Sequence, residues 1–113
     1  MTPKGNAIPI ALDIEAVKQI VADRCRVTVE EINSKRRPQR IAHARMIAMA
    51  LCYKFSGYSA ECIAFAFQKK DHGTVLHAFH AVNGWSETNA TFATQLGGIT
   101  RRVINEAMGD TCV

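Results

Sequence analysis

Apolar residues recur every three or four positions in several stretches of this sequence, and residues typical of helix ends separate the stretches. Ile14, Val17 and Val21 fall on one face of a helix. The same spacing returns in two later stretches, at Ile41, Ala44, Ala48, Leu51 and Phe55, and at Phe92, Leu96, Ile99 and Val103. No stretch of strand length alternates between apolar and polar residues. The sequence therefore predicts an all-α fold of about six helices.

Capping residues and glycines predict where these helices begin and end. Thr28 and Glu31 form a capping box, which begins a short helix over residues 29–33. Pro38 suits the first turn of a long helix that ends near Phe55. Ser59 is expected to cap a fourth helix over residues 60–67. Asp71 is expected to cap a fifth helix, which runs to about Asn83 and is stopped by Gly84. A sixth helix is expected to begin at Ser86 or Asn89 and to kink or split at Gly97 and Gly98.

The length of 113 residues fits a single domain. We expect a loose arm over residues 1–12, a folded domain over residues 13–85 and a C-terminal helix over residues 86–113 that packs on the domain. No apolar run approaches the ~20 residues of a membrane span. The first residues also lack the pattern of a signal peptide. These features predict a cytoplasmic protein that does not associate with membranes.

The four cysteines show no Cys-x-x-Cys spacing, and three of them lie in apolar stretches with helical periodicity. A reduced cysteine in such a stretch behaves as a small apolar residue. Cys25, Cys52, Cys62 and Cys112 are therefore predicted to be buried, reduced thiols that hold neither a disulfide nor a metal ion.

Basic residues are concentrated in one part of the chain, which has a net charge of +4. Between residues 35 and 54 there are six basic residues and no acidic ones. The basic residues of this stretch and of the turn after the fourth helix are Lys35, Arg36, Arg37, Arg40, Arg45, Lys54, Lys69 and Lys70. One-sided positive charge is typical of proteins that bind nucleic-acid phosphates, although it is also common on surfaces that bind nothing.

The fourth and fifth helices are short, adjacent and joined by a few residues, which is the pattern of a helix-turn-helix. In this unit the second helix enters the major groove of duplex DNA, and its first residues face the bases. Those residues here are Asp71, His72, Gly73 and Thr74. Asp71 can accept a hydrogen bond from cytosine, and His72 can donate to or accept from a base edge. Asp71 and Thr74 can equally serve only as helix caps.

Three blocks in this order resemble the C-terminal DNA-binding domain of the bacterial DnaA replication-initiator family. They are Ser-Lys-Arg-Arg at residues 34–37, Ala-Arg-Met-Ile-Ala-Met-Ala-Leu at residues 44–51, and Asp-His-Gly-Thr-Val-Leu-His-Ala at residues 71–78. The resemblance extends from about Asp13 to Trp85. It implies a helix-turn-helix that binds double-stranded DNA with sequence preference in the nucleoid, needs no cofactor and performs no catalysis.

The resemblance also implies roles for individual residues. Arg37 would enter the minor groove, and Asp71 and His72 would read bases in the major groove. Arg45 and Thr74 would contact the DNA backbone. On grounds of charge, the further backbone contacts are Lys35, Arg36, Arg40, Lys54, Lys69 and Lys70.

This sequence departs from the family pattern at several positions. Gly73 replaces a threonine whose methyl group can contact thymine, and Met46 replaces a glutamine. Tyr53 stands where a lysine is usual, and Gln68-Lys69-Lys70 replaces Gly-Gly-Arg. The Gly-x-x-x-x-Gly-Lys-Ser/Thr loop of the family's ATPase module is missing from this sequence, so we expect a stand-alone domain without ATP binding or origin melting.

Two other functions remain open from the sequence. The first is a metal or enzyme site that uses Asp71, His72, His77 and His80. The second is a protein-interaction module that keeps this fold but has weakened or lost DNA binding. Its docking surface would include Tyr58, Trp85 and the terminal helix, and its partners would be other replication or regulatory proteins. The oligomeric state does not follow from the sequence.

Overall fold

A computed structural model describes residues 14–35, 38–55 and 58–108 of the chain, with side chains as far as residue 105. Within these ranges the chain forms six helices, which confirms the all-α prediction. They are α1 (Ile14–Cys25), α2 (Val29–Asn33), α3 (Gln39–Phe55), α4 (Ala60–Ala66), α5 (Gly73–Thr88) and α6 (Ala90–Met108). The expected arm over residues 1–12 lies outside the described residues, as do Arg36, Arg37 and Cys112.

Helix α3 lies at the centre of the fold and packs most extensively against α5 and then α1. Its predicted apolar face is buried at Ile41, Ala44, Ala48 and Leu51, whereas Phe55 at its end is half-buried. Helix α6 lies across α1 and α5 and buries Ile99 and Val103. The other two members of the predicted α6 stripe, Phe92 and Leu96, are half-buried at the edge of the core.

Side-chain caps begin three of the helices where the sequence predicts them. The Thr28 Oγ1 accepts from the Glu31 amide at 3.0 Å, and the Thr28 amide donates to the Glu31 Oε1 at 2.9 Å, which completes the capping box. The Ser59 Oγ accepts from the Cys62 amide at 3.2 Å and caps α4. Of the two residues expected to begin the sixth helix, Asn89 is the cap, since its Oδ1 accepts from the Phe92 amide at 3.0 Å.

Gly84 does not stop α5, which continues to Thr88, so that prediction was wrong. The expected domain boundary between residues 85 and 86 therefore falls inside a helix. A glycine inside a helix costs about 1 kcal/mol relative to alanine. Packing outweighs that cost, because the Trp85 ring lies 4.5 Å from the His43 ring and 5.7 Å from the Phe92 ring. Helix α6 likewise runs unbroken through Gly97 and Gly98.

Two helices end on residues in the left-handed conformation that are not glycine. Arg26, with φ of 60°, follows α1, and Gln68, with φ of 61°, follows α4. At each end the next amide reaches back into the helix: Val27 N donates to Ala22 O at 3.0 Å, and Lys69 N donates to Ala64 O at 2.8 Å. These are Schellman ends, which usually carry glycine. The end at Gln68 sets the direction in which the chain enters α5.

Among the described residues, Cys25, Cys52 and Cys62 form no disulfide bond. Cys52 is buried, as predicted, whereas Cys25 and Cys62 are only half-buried, so the prediction of buried thiols was wrong for these two. Burial raises the pKa of the Cys25 thiol, and the nearby positive charge of Arg24 partly opposes this rise.

Candidate nucleic-acid interface

Helices α4 and α5 pack against each other as a helix-turn-helix. Ile63 and Phe67 from the first helix and Val75 from the second are buried at their junction. The connecting turn is short because Gln68 reverses the chain in the left-handed conformation. This packing leaves Asp71 and His72, which immediately precede α5, exposed.

Asp71 closes the first turn of α5 with its side chain. Its Oδ1 accepts from the Gly73 amide at 2.9 Å, and its carbonyl accepts from the Thr74 amide at 3.1 Å. The helix itself begins at Gly73, one residue later than expected, and its N-cap is His72, so the prediction that Asp71 is the N-cap was wrong. The Asp71 carboxylate remains exposed while it accepts from the Gly73 amide, so this hydrogen bond does not remove Asp71 from the surface. Thr74 is half-buried.

The turn before α5 and the loop before α3 meet through a lysine. The Lys69 Nζ donates to the Ser34 carbonyl oxygen at 3.4 Å. Partial burial lowers the pKa of Lys69, and the positive charges of Arg45 and Lys35 lower it further. Arg45 and Lys35, from two other parts of the chain, thus both lie close enough to Lys69 for their positive charges to act on it. An anion placed among them would relieve this repulsion.

Other predicted DNA contacts lie on the exposed surface beside this group. Lys35 is exposed in the loop, Arg40 is exposed in the first turn of α3, and Lys70 is exposed in the turn before α5. Arg36 and Arg37, which belong to the same loop, lie outside the described residues. The structure therefore gives no position for the predicted minor-groove residue Arg37.

Arg45 has a structural position that the sequence did not predict. Its side chain is buried, its Nε donates to the Ile32 carbonyl at 2.7 Å, and its Nη2 donates to the Glu31 carbonyl at 3.0 Å. Both carbonyls lie in the last turn of α2, where a cation is favoured by the helix dipole. Burial lowers the pKa of the Arg45 guanidinium. Arg45 therefore fixes α2 to α3, whether or not it also contacts DNA.

Lys54 does not join the basic group, although the sequence placed it in the same basic stretch. It lies nine residues beyond Arg45 on α3, which corresponds to about 14 Å along the helix axis. Its Nζ lies 5.4 Å from the centre of the Phe55 ring, and it borders a groove lined by α6 residues such as Arg101. The uniform basic stretch of the sequence is thus divided between the two ends of one helix.

Sequence reasoning missed Lys18, which is only 1% exposed. Its Nζ donates to the Ala66 carbonyl at the end of α4 at 2.6 Å and pairs with Glu15 at 3.0 Å. It also lies 4.6 Å from the centre of the Phe67 ring. Lys18 therefore positions the end of α4 just before the turn. A signal was present, since residue 18 lies four positions after Ile14, on the buried side of α1.

The surface expected for a protein-interaction module is less exposed than predicted. Tyr58 and Trp85 are both half-buried and pack against the core. A large apolar residue that does stand out is Phe65 on α4, which is 85% exposed and was not predicted. This exposure follows from the helical pattern. Ala64 and Phe67, which flank Phe65 in the sequence, are buried, and Phe65 lies on the opposite side of α4.

The alternative metal site also lacks support from the described part of the chain. No group of three or more His, Cys, Asp or Glu side chains is placed there to hold a metal ion. Within the same ranges, no helix has the length and apolar content to cross a lipid bilayer.

Known proteins match both the sequence and the fold. Residues 14–82 match the family described as the bacterial dnaA protein helix-turn-helix. The chromosomal replication initiator protein DnaA of Buchnera aphidicola is 40% identical over 72 residues, which are 64% of this chain and 16% of that protein. The DnaA of Francisella tularensis is 34% identical over 80 residues, which are 71% of this chain and 16% of that protein.

A crystal structure of a DNA replication initiation factor has the same fold, with a TM-score of 0.74 and 35% identity. The match covers 83% of this chain and 29% of that chain. This chain thus spans only a small part of the length of the proteins it matches. The family match covers more than half of the chain and includes all of α4 and the first part of α5, as far as residue 82, so the chain belongs to the bacterial DnaA helix-turn-helix family.

Proposed function

We propose that this chain binds double-stranded DNA through α4 and α5, with sequence preference and without catalysis. The observation that carries the proposal is the contact between Lys69 and Ser34, which brings the turn before α5 beside the basic loop before α3. When α5 lies in the major groove of a duplex, the neighbouring phosphates and the adjacent minor groove would face that loop.

The proposal assigns base contacts and backbone contacts to different residues. Asp71 and His72 are exposed at the start of α5 and face bases in the major groove, and Arg37 faces the minor groove. Backbone contacts are assigned to Lys35, Arg36, Arg40, Arg45, Lys69, Lys70 and Thr74. Lys54 is left out of this set, because it lies at the other end of α3 beside α6.

The matched relatives are named as chromosomal replication initiators, and we propose that this chain has a DNA preference similar to theirs. ATP binding and origin melting are not part of the proposal, since the sequence lacks the phosphate-binding loop. Gly73 is the position at which its preference is expected to differ, because glycine offers no methyl group to thymine.

A salt titration tests whether the basic group binds phosphates. Affinity for a random duplex is measured by fluorescence anisotropy over a series of salt concentrations. About five phosphate contacts should give a slope of log K against log salt of roughly −5. Lys35→Ala should reduce the size of the slope by about one. Lys54→Ala is the matched control, and it should leave the slope unchanged.

The outcome also separates DNA binding from the protein-interaction alternative. A slope near zero, or no binding to any duplex, would favour a module that keeps the fold without DNA binding. Equal effects of Lys35→Ala and Lys54→Ala would contradict the placement of the interface at one end of α3. Selection of bound sequences from a random duplex pool would then define the preferred site.

A further inference from the structure

A cavity of about 320 Å³ lies between α1, α3 and α6, away from the helix-turn-helix. Its apolar lining comes from Ile47 on α3 and from Phe92, Leu96 and Ile99 on α6. Its volume lies at the lower end of the range found for small-molecule sites. Its lining is mixed, with polar side chains beside the apolar ones, which suits a small ligand that has both an apolar tail and a polar group.

The polar groups of this cavity come from the end of α1 and from Gln95 on α6. Arg24 belongs to the last turn of α1, and Cys25 follows it. Because burial raises the pKa of the Cys25 thiol, this group is neutral near pH 7 and does not compete with an anion for Arg24. The cavity thus combines an apolar lining with a guanidinium and an amide.

Gly98 lies close to the Arg24 guanidinium. A Cβ atom built on Gly98 would come within 3.2 Å of the Arg24 Nη2, so a side chain at this position would shift the guanidinium by a few tenths of an ångström. Neighbouring Gly97 has no such role, since a Cβ atom there would meet nothing within 4 Å. Because Gly98 has no side chain, the Arg24 guanidinium can lie against α6 beside the cavity.

Arg24 has no acidic partner among the residues that the structure describes. Arg102, on the neighbouring surface of α6, does have one, because its Nη2 lies 3.5 Å from the Asp23 carboxylate. Position in the last turn of α1 gives Arg24 a favourable interaction with the helix dipole, but it does not explain why the guanidinium lies against α6. A cation without a counter-ion is thus held beside an apolar cavity.

From these observations we infer that the cavity binds a small amphipathic carboxylate, with the carboxylate on Arg24 and the apolar tail among Ile47, Leu96 and Ile99. The guanidinium offers two parallel N–H donors to the two carboxylate oxygens. The Gln95 amide can donate to the same group. Burial of the alkyl chain supplies the remaining affinity. This site is separate from the proposed DNA contacts and does not depend on them.

Octanoate is the probe, and it is titrated into the whole chain with calorimetry and thermal unfolding as readouts. Octanoate should bind and raise the melting temperature. Octanol, which has the same tail but no charge, should bind about ten-fold or more weakly, as expected for the loss of a charge-assisted hydrogen bond. Octylamine should be weaker still, because its ammonium group would meet Arg24.

Two pairs of variants test the residues that the inference names. Arg24→Gln should weaken octanoate binding about ten-fold or more, whereas Arg101→Gln removes the same charge from α6 outside the cavity and should have no effect. Gly98→Ala should weaken binding by displacing the guanidinium, whereas Gly97→Ala should not. Both alanine variants should fold, since alanine favours a helix over glycine.

Alkylation of Cys25 reports where the ligand lies. Octanoate should slow the modification of Cys25, measured by peptide mass, in the original chain but not in Arg24→Gln at the same concentration. The inference is overturned if octanoate does not bind, if octanol binds equally well, or if Arg24→Gln binds octanoate as the original chain does. Equal effects of Gly98→Ala and Gly97→Ala would overturn the assigned position of Arg24.

Discussion

At the scale of single residues, Lys18 and Arg45 both lie buried, and each donates to the carbonyl end of a short helix. Lys18 bonds the last residue of α4, and Arg45 bonds the last turn of α2. A short helix has few internal hydrogen bonds, so its free carbonyl groups need partners from elsewhere. These two cations therefore fix α4 to α1 and α2 to α3.

We predict that Arg45→Ala lowers the free energy of unfolding by about 1–3 kcal/mol, because the buried Ile32 carbonyl loses its donor. The Glu31 carbonyl is less affected, since the Ser34 amide and hydroxyl also donate to it, at 3.2 Å and 2.6 Å. Urea unfolding followed by circular dichroism measures the change. Lys35→Ala, at an exposed neighbour, should leave stability unchanged.

Arg45→Lys separates the structural role of Arg45 from a role in DNA binding. Lysine keeps the charge but cannot donate in the geometry of a guanidinium, so stability should fall while the electrostatic attraction to DNA remains. Unchanged stability in both variants would mean that Arg45 acts only on DNA.

Lys69 should make DNA binding sensitive to alkaline pH. Because the pKa of Lys69 lies below its ordinary value, this residue loses its proton at a lower pH than an exposed lysine does. A DNA phosphate favours the protonated form, so binding takes up a proton and affinity falls as the pH rises through that range. Lys69→Arg stays charged and should show a flatter profile.

The measurement is the affinity for one duplex, by anisotropy, from neutral pH upwards to the point where the bases begin to titrate. At neutral pH the two proteins should bind similarly, because both side chains are charged there. Parallel profiles for the original chain and Lys69→Arg would show that Lys69 does not face the phosphates.

At the scale of elements, the start of α5 has two requirements that act on the same side chains. The Asp71 carboxylate accepts from the Gly73 amide before the first turn, and under the proposed function it must also face a base. The glycine affects both requirements, because a Cβ atom at residue 73 would lie 3.2 Å from the Asp71 Oδ1 that accepts this hydrogen bond. A side chain at this position must therefore displace the Asp71 carboxylate by a few tenths of an ångström.

We predict that Gly73→Thr creates a preference of about 1–3 kcal/mol for thymine at the facing base pair, through a methyl contact. Gly73→Ala is the matched control, because it introduces the same Cβ atom beside Asp71 without the threonine methyl group. Binding of both variants to a set of single-base variants of the best site measures the effect. If alanine and threonine change the ranking in the same way, the change acts through Asp71 instead.

The stability of these two variants should change little, by about 0.5 kcal/mol or less, because two effects oppose each other. Replacement of glycine within a helix is favourable, whereas a displaced cap is unfavourable by a similar amount. A clear loss of stability in both variants would show that the Asp71 carboxylate cannot shift.

At the scale of the whole molecule, α3 separates two surfaces with different positive groups. The end near Ser34 carries Lys35 and Arg40 and faces the turn before α5, whereas the end at Lys54 faces α6. The fold thus concentrates the proposed DNA contacts at one end of the central helix. Arg24, which lines the cavity between α1, α3 and α6, is not one of these contacts.

The sequence by itself determined the helical class, the capping box of α2, the cap of α4 and the position of the helix-turn-helix, and it gave Asn89 as one of two candidates for the cap of α6. These features depend on short-range hydrogen bonds and on helical periodicity, which involve residues only a few positions apart. The three DnaA-like blocks were sufficient for the family, because their order and spacing are specific. The exposed positions of Asp71 and His72 also followed from the pattern.

Only the tertiary structure decided which basic residues lie together and how α5 ends. Lys54 belongs to the basic stretch by sequence, but the rise along α3 carries it away from the others. The sequence predicted Arg45 as a DNA contact and gave no role to Lys18, yet both side chains are buried and each donates to a carbonyl group of another helix. The sequence predicted that Gly84 ends α5, but the packing of Trp85 on His43 and Phe92 extends the helix beyond it. Each of these outcomes depends on contacts between residues that are distant in sequence, and local propensities of about 1 kcal/mol cannot outweigh them.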